Sequence, residues 1–454
     1  MSEKTIAAIA TPMGEASIGV IRISGSDAIA VADACFVPYS GARVSELLGY
    51  QAAYGTVQTA DGTVIDDAVA LCFRAPKSYT GEDVVEISVH GGRQVLRRAL
   101  RRVLECGAQM AAAGEFTKRA FLNGKLDLAR AESVMELISA KNQTALKISR
   151  DARDGVLSRA IEGICDRLLE TAASLAVYAD YPDEELEGLS PDTFAALLEE
   201  CHNKTERLIE SYDAGRIVRE GIDCAIVGKP NVGKSSLMNM LCGSERSIVT
   251  DIAGTTRDII ENTVNIGDIT LNLADTAGIH DTADTVERVG VDRASKKIEN
   301  AGLILAVFDA SCPLDGDDKR LLLQLKDKRA IAVLNKTDMP QKVSADELSP
   351  LTVVQISALK NEGYDELSRE ISRICDLGYL DSADAVLISE RQYDCARRAL
   401  EALEGAKAAL LSGVTLDAVS VCIDDAIAAF LELTGKRVTN EVAEEVFKRF
   451  CVGK

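Results

Sequence analysis

Histidine is scarce in this 454-residue chain, with three in all, and its twelve cysteines stand singly from Cys35 to Cys451 without one C-x-x-C pair. That excludes a Cys/His zinc site and a disulfide framework, and it fits a reducing compartment. Basic residues are also short: 51 Lys and Arg face 71 Asp and Glu, a formal net charge of −20. A wholly basic nucleic-acid coat is excluded, although a local basic face is not. No apolar run approaches the roughly 18 residues of a membrane span. The opening stretch, MSEKTIAAIATPMGEAS, carries acid early and lacks a hydrophobic signal core. These absences predict a soluble, cytoplasmic protein. The remainder is ordinary globular material, 47% apolar and 27% charged, and its length suggests roughly three domains.

Charge and texture divide the chain. Residues 1–125 hold 13 basic and 13 acidic side chains; residues 221–379 hold 18 and 25; and 126–220 with 380–454 hold 20 and 33. Both flanking segments of the middle block read as helix. From Leu416, apolar residues recur at Val419, Ile423, Ile427, Phe430 and Leu433 with a 3.6 period, and Gly435 stands where a helix stop belongs. Ser389 opens another stretch with Ala399, Leu403, Ala406 and Leu410 on one face. The segment 126–180 is rich in Ala, Leu, Glu and Arg, until DYPDEE (180–185) interrupts it. The spacing predicts one helical domain, 126–220 plus 380–454, split by an insertion. In the insertion, 221–379, the β-rich runs IDCAIV (222–227), ITLNLAD (269–275), LILAVF (303–308), AIAVLN (330–335) and TVVQIS (352–357) alternate with helical stretches. That predicts a mostly parallel sheet covered by helices on both faces. Residues 1–125 mix strands such as VIRIS and DVVEISV with an arginine-rich helix, an α+β unit.

The chemistry is in the insertion. Strand IDCAIV leads into Gly228-Lys-Pro-Asn231-Val232-Gly233-Lys234-Ser235-Ser236, the pattern G-x-x-x-x-G-K-[ST] between a strand and a helix. Its glycines let backbone N–H groups close around phosphate, Lys234 supplies positive charge, and the Ser235 hydroxyl can ligate Mg²⁺. Asp275-Thr276-Ala277-Gly278 follows a strand; its carboxylate suits the Mg²⁺ water shell and Gly278 a close approach to the γ-phosphate. Asn335-Lys336-Thr337-Asp338 ends another, and Asp338 can accept the two donors of a guanine edge. Ser357-Ala358-Leu359 can support the base. Between the first two motifs lies Thr250-Asp251-Ile252-Ala253-Gly254-Thr255-Thr256, where a switch threonine completes Mg²⁺ coordination. Loops at strand ends in this order predict a Ras-like P-loop domain that binds GTP.

Two positions bear on hydrolysis. Ile279 follows the Asp-Thr-Ala-Gly motif, where a Ras-type enzyme carries a water-orienting glutamine. Glu287 is the nearest carboxylate with a plausible role, or else a solvated acid beside Asp281 and Asp284. Asn231 is either a monovalent-cation ligand beside the phosphates or a residue stabilising the turn.

The phosphate loop GKPNVGKS, TDIAGTTRD, DTAGIHDTADTVERVG, NKTD and the tail CVGK resemble the MnmE (TrmE) family of tRNA-modification GTPases. So do IGVIRISG (18–25), SYTGEDVVEISVHGG (78–92) and GEFTKRAFLNGKLDLARAE (114–132). The tail differs from CIGK, frequent in that family, by one conservative change. The resemblance implies a homodimer formed through a folate-binding N-terminal domain (1–125), with a tetrahydrofolate derivative, 5-formyl or methylene, contacted by Arg22, Glu82, Lys125 and Lys454. It implies activation by K⁺ held by Asn231, Thr250, Ile252 and Thr255, Mg²⁺ on Ser235 and Thr256, and Glu287 as the catalytic carboxylate. It also implies an FAD-dependent partner, MnmG (GidA), and modification of C5 of the tRNA wobble uridine to aminomethyl or carboxymethylaminomethyl forms. The other reading is a GTP-dependent ribosome-assembly factor without modification chemistry.

Two further features stand apart. Arg93, Arg97, Arg98, Arg101 and Arg102 follow Gly91-Gly92, with 93, 97 and 101 on one helical face; they form either a phosphate-backbone surface or a solvated face. Cys451, three residues from Lys454, is a candidate exposed thiol linked to the modification chemistry.

Overall fold

A computed structural model describes residues 4–180, 190–243, 262–267, 269–273, 299, 301–375, 385–412 and 415–453. They form two compact units: Met1–Met135 with Ala152–His202 and Asp394–Lys454, and Glu136–Asp151 with Asn203–Tyr393.

The first unit begins with β1 (Ile6–Ile9), β2 (Ala16–Ser24), α1 (Ala28–Cys35), β3 (Phe36–Pro38), β4 (Gln51–Gln58), β5 (Val64–Phe73), β6 (Val84–Gly91), α2 (Arg93–Glu105), β7 (Gln109–Met110) and α3 (Glu115–Leu122). The sheet order is β3-β4-β5-β6-β2-β1-β7, antiparallel except between β1 and β7. Alternation decides its two faces. Ile21, Ile23, Val85 and Ile87 point into a core shared with Ala32 of α1 and Leu96, Ala99 and Val103 of α2. Arg22 and Glu86, opposite each other in register, lie on the other face.

Helices follow: α4 (Leu128–Ser139), α5 (Gln143–Arg153), α6 (Val156–Asp180) and α7 (Pro191–Glu220). The helix-forming stretch 126–180 is therefore three helices. Asn142 breaks it by accepting the Ala145 N–H at the start of α5, and Gly155 breaks it again with φ +84°.

The second unit carries β8 (Ile222–Val227), α8 (Lys234–Gly243), β9 (Asn262–Ile266), β10 (Ile269–Leu273), β11 (Leu303–Asp309), α9 (Gly316–Leu325), β12 (Ala330–Asn335), β13 (Thr352–Gln355) and α10 (Tyr364–Ile374). Its six-stranded sheet has the order β13-β12-β11-β8-β10-β9 and is parallel except for β9. Leu237 and Leu241 of α8 and Leu367 and Ile371 of α10 pack on one face, and Leu325 of α9 packs on the other. The chain leaves β8 toward β10 on one side and later returns to β11 on the other. The carboxyl end of β8 is thus the switch point where open α/β sheets bind ligands.

The chain closes with α11 (Glu390–Leu411), α12 (Leu416–Thr434) and α13 (Asn440–Lys448). Val419, Ile423, Phe430 and Leu433 are buried, and Gly435 ends α12 with φ +83°. In the first unit α12 packs along α6, joining helical segments from either side of the insertion. Among the described residues, no helix is long and apolar enough to cross a membrane.

Candidate nucleotide site and a second polar cluster

The loop after β8 has a backbone that side chains would obstruct. Gly228 takes φ +143°, and a Cβ there would lie 2.4 Å from the Val307 carbonyl oxygen. Asn231 takes φ +64°, a left-handed conformation that its short amide side chain tolerates. Gly233 takes φ +102°, and a Cβ on it would meet Asn335 Nδ2 at 2.1 Å. Lys234 opens α8 and folds its ammonium over the loop, donating to the carbonyls of Gly228 at 2.8 Å and Lys229 at 2.6 Å. Burial lowers the pKa of that ammonium, so a phosphate beside it would favour its charged form. Ser235 and Ser236 are exposed in the first turn of α8, where backbone N–H groups and the helix dipole favour an anion.

The motifs Asn335–Asp338 and Ser357–Leu359 are stapled to this loop. Asn335, 2% exposed at the end of β12, donates from Nδ2 to the Val232 carbonyl at 2.9 Å, and its Oδ1 accepts the Ala358 N–H at 3.0 Å. One buried amide therefore ties the phosphate loop to Ser357-Ala358-Leu359. Lys336, at φ +67°, donates to the Asn231 carbonyl at 2.8 Å and to Asp309 at 2.6 Å. The Thr337 N–H bonds the Ile356 carbonyl at 3.2 Å. Asp338 is exposed, and the buried Ser357 hydroxyl donates to its Oδ1 at 2.7 Å, which lowers the carboxyl pKa. The second oxygen is left to face a ligand edge. Leu359 is 85% exposed beside it.

Sequence reading brings together Asn231, Val232, Gly233, Lys234, Ser235, Asn335, Lys336, Asp338 and Ala358, and the structure gathers them at one sheet end. It does not foresee Asp309 as the partner of Lys336, because Phe308-Asp309 at the end of β11 belongs to no motif. Thr250 through Thr256, Asp275 through Gly278, Ile279, Asp281, Asp284, Glu287 and Lys454 lie outside the described residues.

A second polar cluster lies in the first unit. Arg22 donates from Nε to Glu86 at 2.8 Å and from Nη1 to the Gly453 carbonyl at 3.3 Å. Its guanidinium stands 5.8 Å from the Tyr79 ring centre and 5.6 Å from that of Phe116, within cation–π range. Glu82 accepts Arg119 Nη1 at 3.1 Å on both oxygens and the Ser24 hydroxyl at 2.7 Å. Lys125 Nζ donates to the Pro76 carbonyl at 3.0 Å, and its stem passes beside Gly81. The tail arrives through the Gly114 N–H to the Cys451 carbonyl at 3.4 Å and a bridge from Ala113 to Val452. Cys451 itself is exposed. Arg22, Glu82 and Lys125 thus share one neighbourhood with the tail. Arg119, Tyr79 and Phe116 complete it; no spacing in the sequence announces them, since Phe116 and Arg119 lie on α3 and Tyr79 in the loop before β6.

Comparison with known proteins matches residues 5–125 to the family model described as GTP-binding protein TrmE N-terminus and residues 128–451 to that of the MnmE helical domain. The tRNA modification GTPase MnmE of Symbiobacterium thermophilum is 42% identical over 459 residues, covering 100% of each chain. That of Lactococcus lactis subsp. lactis is 40% identical over 99% of this chain and 98% of its own. That of Carboxydothermus hydrogenoformans is 39% identical over 100% of each. With a G-x-x-x-x-G-K-S loop tied by Asn335 to the Ser357-Ala358-Leu359 loop in the middle of such a chain, the protein belongs to the MnmE family of tRNA modification GTPases.

Proposed function

We propose that this GTP-hydrolysing enzyme couples its nucleotide cycle to modification of C5 of the tRNA wobble uridine, working as a cytoplasmic homodimer with an FAD-dependent MnmG partner. The division of labour follows the sequence: residues 1–125 hold folate and dimerise, 126–220 with 380–454 form the helical body, and 221–379 form the G domain. The observation that carries the nucleotide part is the Asn335 amide, which makes phosphate grip and guanine recognition one hydrogen-bonded piece.

Ser235 and Thr256 would hold Mg²⁺, which bridges phosphate oxygens and offsets their charge. Ser235 fits, since its hydroxyl is exposed beside Lys234. K⁺ would be held by Asn231, Thr250, Ile252 and Thr255, and adds positive charge next to the reacting phosphate. Asn231 fits in a limited way: Lys336 already occupies its carbonyl, while its side-chain oxygen accepts nothing from the described residues. Glu287 is assigned the water-orienting role that Ile279 cannot fill. The tetrahydrofolate derivative would supply a one-carbon unit, with Arg22, Glu82, Lys125 and Lys454 as contacts. A planar, polar, anionic ligand suits Arg22, whose guanidinium is within cation–π range of two aromatic rings and keeps Nη2 unbonded among the described residues. Both oxygens of Glu82 already accept Arg119, so it can take ligand donors only on its remaining lone pairs.

The test is complementation of cells lacking this activity, with wobble-uridine nucleosides quantified by mass spectrometry. The full chain should restore the modified nucleoside, and Lys234→Ala should not. Restoration by Lys234→Ala would sever the modification from the GTP cycle. Unmodified uridine together with a ribosome-assembly defect would favour the other reading.

A further inference from the structure

The face of α2 turned away from the sheet has chemistry that the fold does not use. Leu96, Ala99, Leu100 and Val103 are buried against the sheet. Arg93, Arg97, Arg98 and Arg101 are exposed, and none forms an ion pair with the described residues. Arg102 leaves the row: it donates to the carbonyls of Gln58 and Ala34, each at 3.0 Å, and lies 3.6 Å from Glu105. The structure thus separates one structural arginine from four unpaired ones.

Those four destabilise the helix they sit on. Arg93/Arg97 and Arg97/Arg101 are like-charge i,i+4 pairs, each mildly unfavourable in an isolated helix. Arg93 also lies in a first turn with no acidic residue, at the end where the helix dipole repels a cation. Helix stability therefore does not explain the row. An anionic ligand would remove both penalties at once.

The shape of the row narrows that ligand. From Arg93 to Arg101 it runs about 12 Å along the helix, so the partner carries negative charge repeated over at least that length. The exposed positions are Arg93, Gln94, Arg97, Arg98, Arg101 and Glu105, with no aromatic or aliphatic residue among them. Protein interfaces depend on a desolvated apolar or aromatic centre, and this face offers none. Arginine forks match phosphate oxygens in pairs. Resting on the tRNA reading above, we infer that the exposed arginine row of α2 docks the phosphate backbone of an RNA strand, independently of base sequence.

The experiment is fluorescence anisotropy of a labelled, unmodified tRNA transcript with the full-length chain, titrated across 50–250 mM NaCl. Arg97→Glu/Arg101→Glu should weaken binding about tenfold or more at 100 mM salt and reduce the log–log salt slope by about 1.4–1.8, the loss of two phosphate contacts. Arg97→Lys/Arg101→Lys keeps the charge and should keep the slope. Melting of the Glu variant should stay close to the parent, because the new attraction between positions 93 and 97 and the like-charge contacts left among 97, 101 and 105 act in opposite directions on the same exposed face, so lost binding is not lost folding. If the parent binds tRNA and the Glu variant matches it in affinity and slope, the row is a solvated face and this inference fails while the proposed function stands. A parent chain that binds no tRNA at 50 mM salt would overturn both.

Discussion

Replacing Gly233 by alanine tests whether this glycine serves the phosphate or the Asn335 amide. The new Cβ would fall 2.1 Å from Asn335 Nδ2, a separation that real Cβ atoms do not tolerate. The neighbouring atom belongs to a 2%-exposed side chain bonded at both ends, so the amide must leave its place. Its departure leaves the Val232 carbonyl and the Ala358 N–H without partners, about 1–3 kcal/mol for each group that stays buried. Holding alanine at φ +102° adds about 1–3 kcal/mol of backbone strain. Gly233→Ala should therefore destabilise the second unit by roughly 3–7 kcal/mol, whereas Asn335→Ala, which loses only the hydrogen bonds, should cost about 2–4 kcal/mol. In Gly233→Ala/Asn335→Ala the clash is gone and the hydrogen-bond loss is counted once. The two effects should fall short of additivity by about 2–4 kcal/mol, the hydrogen-bond loss common to both, well above the scatter of about 0.5 kcal/mol between independent sites. Denaturant unfolding of the four proteins measures this, with GTP affinity alongside. Additive costs, or an unchanged Gly233→Ala protein, would refute the steric coupling.

Further expectations use the same site and one thiol. Asp338→Asn should weaken GTP binding by about 1.5–3 kcal/mol, since the charged acceptor of two guanine donors is lost; calorimetric titration showing equal affinity removes Asp338 from base recognition. GTP hydrolysis should be much faster in K⁺ than in Na⁺, and equal rates in steady-state assays would dismiss Asn231 as a cation ligand. Glu287→Ala should leave GTP affinity within about threefold yet cut single-turnover hydrolysis by about 10²-fold or more; a parent-like rate in saturating K⁺ turns attention to Asp281 and Asp284. A hydrogen bond from the Cys35 thiol, and then the charge of Arg102, bring the Cys106 thiol down to about 7. Alkylation followed peptide by peptide should therefore reach half its maximal rate at Cys106 near neutral pH, rising as pH rises and the thiolate forms. Arg102→Ala should shift that midpoint upward, and a parent midpoint near 9 would contradict the thiol geometry.

The nucleotide loops were legible because their chemistry fixes both residue type and spacing. A strand followed by G-x-x-x-x-G-K-S leaves few other structures open. The five apolar runs of the insertion likewise became strands of one sheet, four of them mostly buried and β13, at its edge, with only Val354 buried. β9 was not legible. Its Asn265 is 7% exposed and polar, with Nδ2 bonded to the Lys141 carbonyl at 2.7 Å and Oδ1 accepting Thr270 at 2.8 Å. Val264 and Ile266 keep the alternation and are fully buried, but the hydrogen-bonded polar Asn265 between them hides it in so short a run. The breaks at Asn142 and Gly155 were hidden for a similar reason, since good helix formers on both sides mask a cap and a single positive φ. The Arg119–Glu82 pair depends on α3 meeting the loop before β6, a tertiary contact that no local periodicity encodes.

The hydrogen bond from Arg22 to Gly453 joins positions 431 residues apart. At roughly 5–20 residues per second, a ribosome needs about 20–90 s to make the stretch between them. The antiparallel meander β2–β6 and its helices α1 and α2 are complete by Glu105, so the first sheet can close early on local contacts. Arg22 then has Glu86 as its companion while the whole GTP-binding insertion is synthesised. Only when α12 and α13 emerge does the first unit receive its last segment. The nascent protein thus passes through a long-lived stage with a finished N-terminal sheet, a G domain that emerges after it, and an unfilled place for the tail. Any translational pause that prolongs this stage acts on exposed α6 and on the neighbourhood of Arg22, and the same pause leaves the phosphate loop untouched.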